Sequence, residues 1–322
     1  MKLQWEKSIT LGVVIPYFKG EKYWADLVGS LRGQTKILDQ AIIVLDGPEE
    51  FLPDIVISNI AKQITVISNK FNCGVARSRN IGMSHISTDY VFFLDQDDFW
   101  ESDRVELFHN EAVSSNPEVI ASWYKRVNQS KVELKEIRVK EGILSLDRNT
   151  RVSTQLLSDF HFLSICAVCI RVDVMELFDS SFKSSDDQVE IVRLLERSPP
   201  LVIDKVTCYR RFHDSNQSYS KEHVFGMLIA SRYYRKSSLL DKIDSRRYLS
   251  KVNMALGTEN LKLGNYNKAK RYFYRSLRLF RGNYKSYVGY AFSRMPFLFA
   301  ASMYKKKIYN VKKTNTRKTI SN

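Results

Sequence analysis

Asp95-Gln96-Asp97-Asp98 places three carboxylates within four residues, directly after the apolar run Tyr90-Val91-Phe92-Phe93-Leu94. Like charges this close repel one another unless a cation is present. Hard oxygen ligands suit Mg2+ or Mn2+, ions that keep several waters and share their coordination with substrate phosphates. The alternative for the same residues is an acidic turn in which Asp98 caps a helix starting near Glu101. A second acidic pair, Asp186-Asp187, opens a helical stretch over 188–197 that Pro199 and Pro200 stop. By itself that pair reads as a cap and a first-turn acid favoured by the helix dipole. Cys166 and Cys169 have no second metal-binding pair to join, and they read as buried structural thiols.

These side chains need a frame. Residues 10–15, closed by Pro16, have the β-branched, apolar character of a buried strand. So do 41–45, ended by the turn Asp46-Gly47-Pro48, and also 64–67 and 90–94. Helical spacing falls at 24–31, with Leu27, Val28 and Leu31 on one face, and at 75–84, entered through Asn72-Cys73-Gly74. Strand and helix alternating with short connections predict an α/β sheet with helices on its faces. Ligands bind beyond the carboxyl ends of such strands. Pro16-Tyr17, Asp46-Gly47 and 95–98 lie at three of these ends and should converge on one edge. Beyond a less regular region at 120–165, 164–170 reads as a strand, 172–178 as a helix, and 201–209 as a strand leading into Arg210-Arg211-Phe212-His213. From Lys221 the pattern is helical. Residues 255–269 have the small/large spacing of one tetratricopeptide-like hairpin, too few repeats for an array. Tyr272, Phe273, Leu277 and Phe280 are its expected core positions.

Four motifs occur in order: Val13-Val14-Ile15-Pro16-Tyr17; Ile43-Val44-Leu45-Asp46-Gly47; Asn72-x-Gly74 with Arg79-Asn80-x-Gly82; and 88–98, ending in the acidic run. Together they resemble glycosyltransferase family 2, closely over 9–105 and more loosely to about 218. The resemblance implies a GT-A type fold, a Rossmann-like mixed sheet flanked by helices, over residues 1–220. Residues 221–322 then form an all-helical extension. It also implies an inverting enzyme that moves a sugar from a nucleotide-diphosphate sugar to a hydroxyl of a glycan or lipid-linked acceptor. The implied cofactor is Mn2+ or Mg2+, and the implied setting is bacterial surface polysaccharide synthesis.

The resemblance also implies roles. Pro16 and Tyr17 line the nucleotide pocket, and Asp46 accepts a hydrogen bond from the base, a uracil imide or similar group. The family usually has a second acid and a serine around this point, where this sequence has Leu45-Asp46-Gly47-Pro48, which leaves the nucleotide open. Arg79 lies near the diphosphate or donor sugar. Asp95 and Asp97 form the D-x-D pair that contacts donor ribose, sugar and the diphosphate-bound metal. Ser184-Ser185-Asp186-Asp187, with Arg193 six residues after Asp187, resembles the family's Glu-Asp pair. Asp187 then falls on the catalytic base, since inversion needs a carboxylate opposite the leaving group to take the acceptor proton. Residues 209–218 resemble the segment that closes over the diphosphate. Arg210 or Arg211 would neutralise phosphate, and His213 would bind phosphate or complete the metal shell.

The chain's 322 residues, 44% hydrophobic and 12% aromatic, can build two cores and exclude chain-wide disorder. No run of about 18 apolar residues marks a membrane span. Residues 1–7 lack a secretory pattern, and four cysteines are too few for a disulfide framework. A cytoplasmic protein is expected. Charge is unevenly placed: residues 1–220 hold 26 Lys+Arg and 31 Asp+Glu (26 − 31 = −5), whereas 221–322 hold 24 and four (24 − 4 = +20). An anionic partner is implied for the second part. The aromatic-apolar stretch after Arg294, the lysines at 305–307, and Lys312, Lys313, Arg317 and Lys318 suggest peripheral attachment to the inner face of the plasma membrane. Two competing readings are a catalytically silent nucleotide-sugar-binding scaffold and a nucleic-acid-binding module. Both acidic motifs being present argues for the enzyme, and nucleic acid is not the expected partner.

Overall fold

The structure, a computed structural model, describes residues 8–48, 57–139, 142–143, 145–158, 161–181, 186–213, 221–236 and 240–294. The chain divides into two compact units, Met1–Tyr219 and Ser220–Asn322.

The first unit begins with alternating strands and helices. β1 (Leu11–Tyr17) is followed by α1 (Glu21–Arg32), β2 (Leu38–Leu45) and β3 (Ala61–Ser68) by α2 (Val75–Met83), and then comes β4 (Tyr90–Phe93). β1 pairs in parallel with β2 on one side and β4 on the other, and β2 pairs in parallel with β3. Every residue of β1 and β4 is buried. Central parallel strands are covered on both faces, so they require continuous rather than alternating apolar runs. α1 turns Tyr23, Trp24, Leu27, Val28 and Leu31 inward, each large apolar side chain contributing about 1.5–3 kcal/mol. A Cβ on Gly82 would lie 2.3 Å from Val14 Cγ1; glycine is what lets α2 lie this close to the sheet.

The remaining strands turn the sheet into a mixed one, as the resemblance implied. β5 (Phe99–Trp100), α3 (Arg104–Ser115), β6 (Val119–Asn128), β7 (Glu133–Ile137), α4 (Arg148–Leu157), β8 (Val168–Arg171), α5 (Asp186–Arg197) and β9 (Leu201–Phe212) follow. The strand order is β3-β2-β1-β4-β8-β6-β9-β5, with β7 paired to β6. β8 runs antiparallel to both β4 and β6, while β9 is parallel to β6.

Three local expectations need correction. Residues 172–178 form a single 3-10 turn, Val172–Val174, rather than a helix. The Asn80 side chain takes both polar groups of Phe178, donating to its carbonyl and accepting from its N–H at 2.8 Å each, and holds the segment extended. Residues 165–167 are a 3-10 turn, and the strand starts only at Val168. Asp98 caps no helix: α3 starts at Arg104, and the Asp98 carboxylate accepts the backbone N–H of Arg211 instead.

The second unit contains α6 (Lys221–Lys236), α7 (Lys242–Lys262), α8 (Tyr266–Leu279) and α9 (Tyr284–Phe292). α7 and α8 form the expected hairpin. Ala269, Phe273 and Ser276 face inward at spacings of four and three residues, one helical stripe. Phe280 is exposed beyond the end of α8, and Tyr272 and Leu277 are half-buried, so Phe273 alone of the four expected residues is fully core. A Cβ on Gly289 would fall 2.3 Å from the Phe273 ring, so α9 closes onto that ring through glycine. A hydroxyl chain joins three helices: Ser250 Oγ lies 2.8 Å from Ser276 Oγ, which lies 2.7 Å from Ser286 Oγ. No helix among the described residues is long and apolar enough to cross a membrane. The stretch after Arg294 lies outside the described residues, as do Ser184, Ser185 and 214–218.

Candidate active site

β1, β2 and β4 run parallel, so their carboxyl ends share one edge of the sheet. Tyr17 is in register with Leu45, and the N–H of Leu94 donates to Val14. Pro16-Tyr17, Asp46 and Asp95 therefore emerge together.

At the β1 end the pocket-lining role does not fit Tyr17. Pro16 and Tyr17 are buried, and the Tyr17 ring meets Trp24 edge-on at 5.2 Å. The side chain at this end that faces solvent is Phe18. Gln96 grips its backbone from the acidic run, accepting from Phe18 N–H and donating to Phe18 C=O at 2.6 Å each. Gln96 thus ties the acidic loop to the end of β1.

Asp46 also departs from expectation. Its Oδ1 accepts from Asn69 Nδ2 at 3.0 Å, Cys73 N–H at 2.9 Å and Cys73 Sγ at 3.1 Å, and its Oδ2 accepts from Gly74 N–H at 2.9 Å. Burial alone would raise its pKa, but these donors outweigh it and hold the carboxyl below its ordinary value. With 4% of its surface exposed, Asp46 braces the 69–74 loop against β2 and presents little to a base. Of the Asn72-x-Gly74 motif, Gly74 takes part in that wrapping through its N–H. Side-chain identity alone does not distinguish a ligand acceptor from a loop brace.

Arg79 joins the two acidic motifs. It rises from α2, is buried, and donates to Asp95 Oδ1 at 2.6 Å through Nη2 and to Asp186 Oδ2 at 2.8 Å through Nη1. Its guanidinium also lies 5.3 Å from the centre of the Phe178 ring. Burial opposes its charge, but Asp95, Asp186 and Asp187 more than compensate and raise its pKa. Residues 107 positions apart are thereby brought to one place. Burial pushes the Asp186 carboxyl up to about 6, against the pull of Arg79 and with Asp187 adding repulsion. Its neighbour Asp187 is only half-buried, and its Oδ1 accepts from the Gln188 N–H at 2.9 Å. Of the pair at the start of α5, Asp186 holds the architecture and Asp187 remains accessible.

β9 supplies the opposite wall. Successive strand residues point to opposite faces, and here the alternation separates Arg210 from Arg211. Arg211 is buried: Nε donates to Asp97 C=O at 2.9 Å, Nη1 to Gln129 C=O at 3.1 Å, and Nη2 to Asp26 at 2.8 Å. It clamps the acidic loop, so its guanidinium is engaged by groups of the protein itself. Arg210 is half-buried, 5.5 Å from the Phe212 ring. Burial opposes its charge, but the acids around it, Asp187 and Asp98 among them, raise its pKa above the ordinary value. Asp98, read as a third acid of the cluster, is buried; burial and the charges of Asp97 and Asp95 push its carboxyl well up.

Asp97 Oδ2 and His213 Nε2 meet at 2.9 Å, and the His213 ring stacks on Tyr23 at 5.1 Å. Among the described residues no group of three or more His, Cys, Asp or Glu side chains gathers to hold a metal ion. The three expected ligands split: Asp97 and His213 converge, while Asp95 engages Arg79. The Asp97 carboxylate fits a hard ion such as Mg2+ or Mn2+, whose shell is completed by water and phosphate oxygens, and the His213 nitrogen beside it is a softer donor that suits Mn2+ better than Mg2+. Cys166 and Cys169 are buried free thiols.

The sequence profile described as glycosyl transferase family 2 matches residues 12–178. Among curated proteins, the chain is 28% identical over 120 residues to "Glycosyltransferase GlyA" of Streptococcus pneumoniae serotype 4, covering 37% of this chain and 17% of that one. It is 30% identical over 135 residues to "Teichoic acid poly(glycerol phosphate) polymerase" of Staphylococcus epidermidis, covering 40% and 19%. The chain therefore spans less than a fifth of these two relatives. Among solved structures, S. aureus TarS matches at a TM-score of 0.59 with 15% identity, covering 88% of this chain and 55% of that one. Residues 1–349 of TarS in complex with UDP-GlcNAc match at 0.56 with 16% identity, covering 93% and 92%. At such identities the likeness is one of fold.

Proposed function

The chain belongs to glycosyl transferase family 2, and on that footing we propose that it is an inverting, nucleotide-sugar-dependent transferase with Asp187 as its base. The observation that carries this reading is the Arg79 bridge, which holds the Asp95 loop and the start of α5 at one site and leaves Asp187 accessible beside them. Asp187 takes the proton of the acceptor hydroxyl as its oxygen attacks the anomeric carbon. The bond from that carbon to the diphosphate breaks on the opposite side, and the nucleoside diphosphate departs with the bonding electron pair. Inversion follows from this single in-line displacement. Arg210, on the β9 wall, faces charge developing on the diphosphate. Asp95, held by Arg79, orients donor hydroxyls. Asp97 and His213 would hold Mg2+ or Mn2+, which when bound supplies positive charge for the leaving diphosphate. Neither Asp46 nor Arg211 is assigned to the donor, because internal partners engage both. The deep burial of Tyr17 gives Phe18 the pocket-lining role in its place.

UDP-GlcNAc is the first donor to test, since the TarS fragment that shares this fold is a UDP-GlcNAc complex. For the acceptor we propose a hydroxyl of a surface polymer, free or lipid-linked. The relative named for teichoic acid makes phosphate-bearing polymers the leading class. Work at the inner face of the plasma membrane accords with that chemistry. The test is Asp187→Asn, assayed for sugar transfer and for nucleotide binding by thermal shift with and without Mn2+. Transfer should fall about 10²–10⁴-fold with nucleotide binding retained. Undiminished turnover would remove Asp187 from its role.

A further inference from the structure

Residues 262–294 contain nine Lys and Arg and no Asp or Glu. The described structure shows where that charge goes. On α8, Ala269, Phe273 and Ser276 face the core, while Arg271, Tyr274, Arg275 and Arg278 are exposed. The two stripes lie on opposite sides of one helix, a consequence of the 3.6-residue period. Arg271, Arg275 and Arg278 are spaced four and three residues apart, or about 6 Å and 4.5 Å along the axis. Exposed phenol rings accompany the charges: Tyr274 on α8 is 54% exposed, and α9 carries Tyr284 at 68% and Tyr287 at 51%. A row of guanidiniums with no acid on its own helix or the next keeps a long-range positive field. Planar guanidiniums favour phosphate oxygens in paired hydrogen bonds. Tyrosines between them offer flat apolar faces with a polar tip, suited to the carbon skeleton between phosphates.

We infer that the exposed face of α8 and α9 binds a linear phosphate-bearing polymer of sugars or polyols and retains it as the acceptor chain. An anionic bilayer fits less well, because an interfacial helix buries a broad apolar face and the outward stripe of α8 is arginine and tyrosine. Naming the polymer as acceptor rests on the transferase reading; the binding itself does not. Since both units are one chain, a polymer held here stays at high effective concentration for the catalytic unit.

The test measures binding of the full chain to a fluorescent linear polyol phosphate, without donor, across a salt series. The variants are Arg271→Glu/Arg275→Glu/Arg278→Glu, the milder triple change to Gln, and a charge-matched control on the first unit, Lys70→Glu/Arg138→Glu/Arg148→Glu. Circular dichroism checks folding of each. Binding should weaken at least about tenfold in both α8 variants and less than about twofold in the control. The slope of log affinity against log salt should drop by roughly one per arginine lost. Equal loss in the control, unchanged binding in the folded α8 variants, or a preference for phosphatidylglycerol vesicles or single-stranded DNA of matched charge would overturn the inference. Asp187→Asn should bind the polymer like the unaltered chain. An unaltered chain that transfers to a small acceptor but does not bind the polymer therefore counts against this surface alone, and one that binds the polymer without any transfer counts against the transferase reading alone.

Discussion

Arginines in the two units do opposite things. In the first unit, Arg79 sits between two carboxylates and Arg211 fans out to Asp26 and two carbonyls. Arg104, fully buried, donates to Ser122, Thr207 and the Cys166 carbonyl, with the rings of Phe92, Trp100 and Phe108 4.4–5.0 Å away. In the second unit, Arg271, Arg275 and Arg278 stand in water on a helix without an acid. Taking an ion out of water costs several kcal/mol unless fixed partners replace the lost hydration. A buried arginine is therefore committed to architecture, whereas an exposed row keeps its field for something outside the molecule. Net charge counts both kinds alike, and only their surroundings separate them.

The contrast can be broken at its strongest point first. Arg79→Met would leave Asp95 and the buried Asp186 without their counter-charge, and about 3–5 kcal/mol of stability should be lost in urea denaturation. A loss under about 1 kcal/mol would mean that the bridge does not organise the site. Glu190 comes next. It is buried on α5 with Arg193 3.3 Å away, and burial pushes its carboxyl up to about 7 despite that partner. A folded-state value above the ordinary 4.5 means that the folded protein binds the proton more tightly than the unfolded chain. Stability from this group is therefore full at low pH and lost as pH rises from about 4.5 through about 7, by at most about 3 kcal/mol. Glu190→Gln should flatten that part of the profile, as denaturant midpoints at about pH 5 and about pH 8 would show.

Gly289→Ala probes the other side of the comparison. The second unit rests on ring packing, and a methyl group driven into Phe273 should cost about 1–3 kcal/mol. An unchanged melting temperature would contradict that. Lys62→Ala removes an exposed pair with Asp39 at 2.7 Å and should change stability by less than about 1 kcal/mol. A larger loss would blur the line between buried and exposed charge.

Much of this was legible beforehand. The runs at 10–15, 41–45 and 90–94 became the buried strands β1, β2 and β4 with ends moved by a few residues, because a doubly covered parallel strand must be apolar at every position, and the run at 64–67 became the half-exposed edge strand β3. The hairpin of α7 and α8 was visible in its small/large spacing. Less visible were β6, β7 and α4: burial along β6 and β7 is mixed, and β6 pairs with β8 and β9 far along the chain. The segment 172–178 has helical composition, but one amide from Asn80 overrides it. At the site, the positions of the acidic motifs could be named from their spacing within a known resemblance. Which groups Asp46, Asp186 and Arg211 engage could not, since a side chain that holds a loop and one that holds a ligand carry the same functional groups.

Local chemistry in the chain determined which segments are strands, which are helices, where the acids cluster and how unevenly charge is distributed. All of these depend on neighbours within about one turn or one strand. Tertiary structure alone decided which charged groups are engaged and which remain available. Asp186 became a buried partner and Asp187 an accessible one, and Arg211 became a clamp while Arg210 faced the acids. The reason is geometric. Adjacent residues on a strand or at a helix start leave the backbone in different directions, and only the folded environment determines which direction meets a partner and which meets the open site.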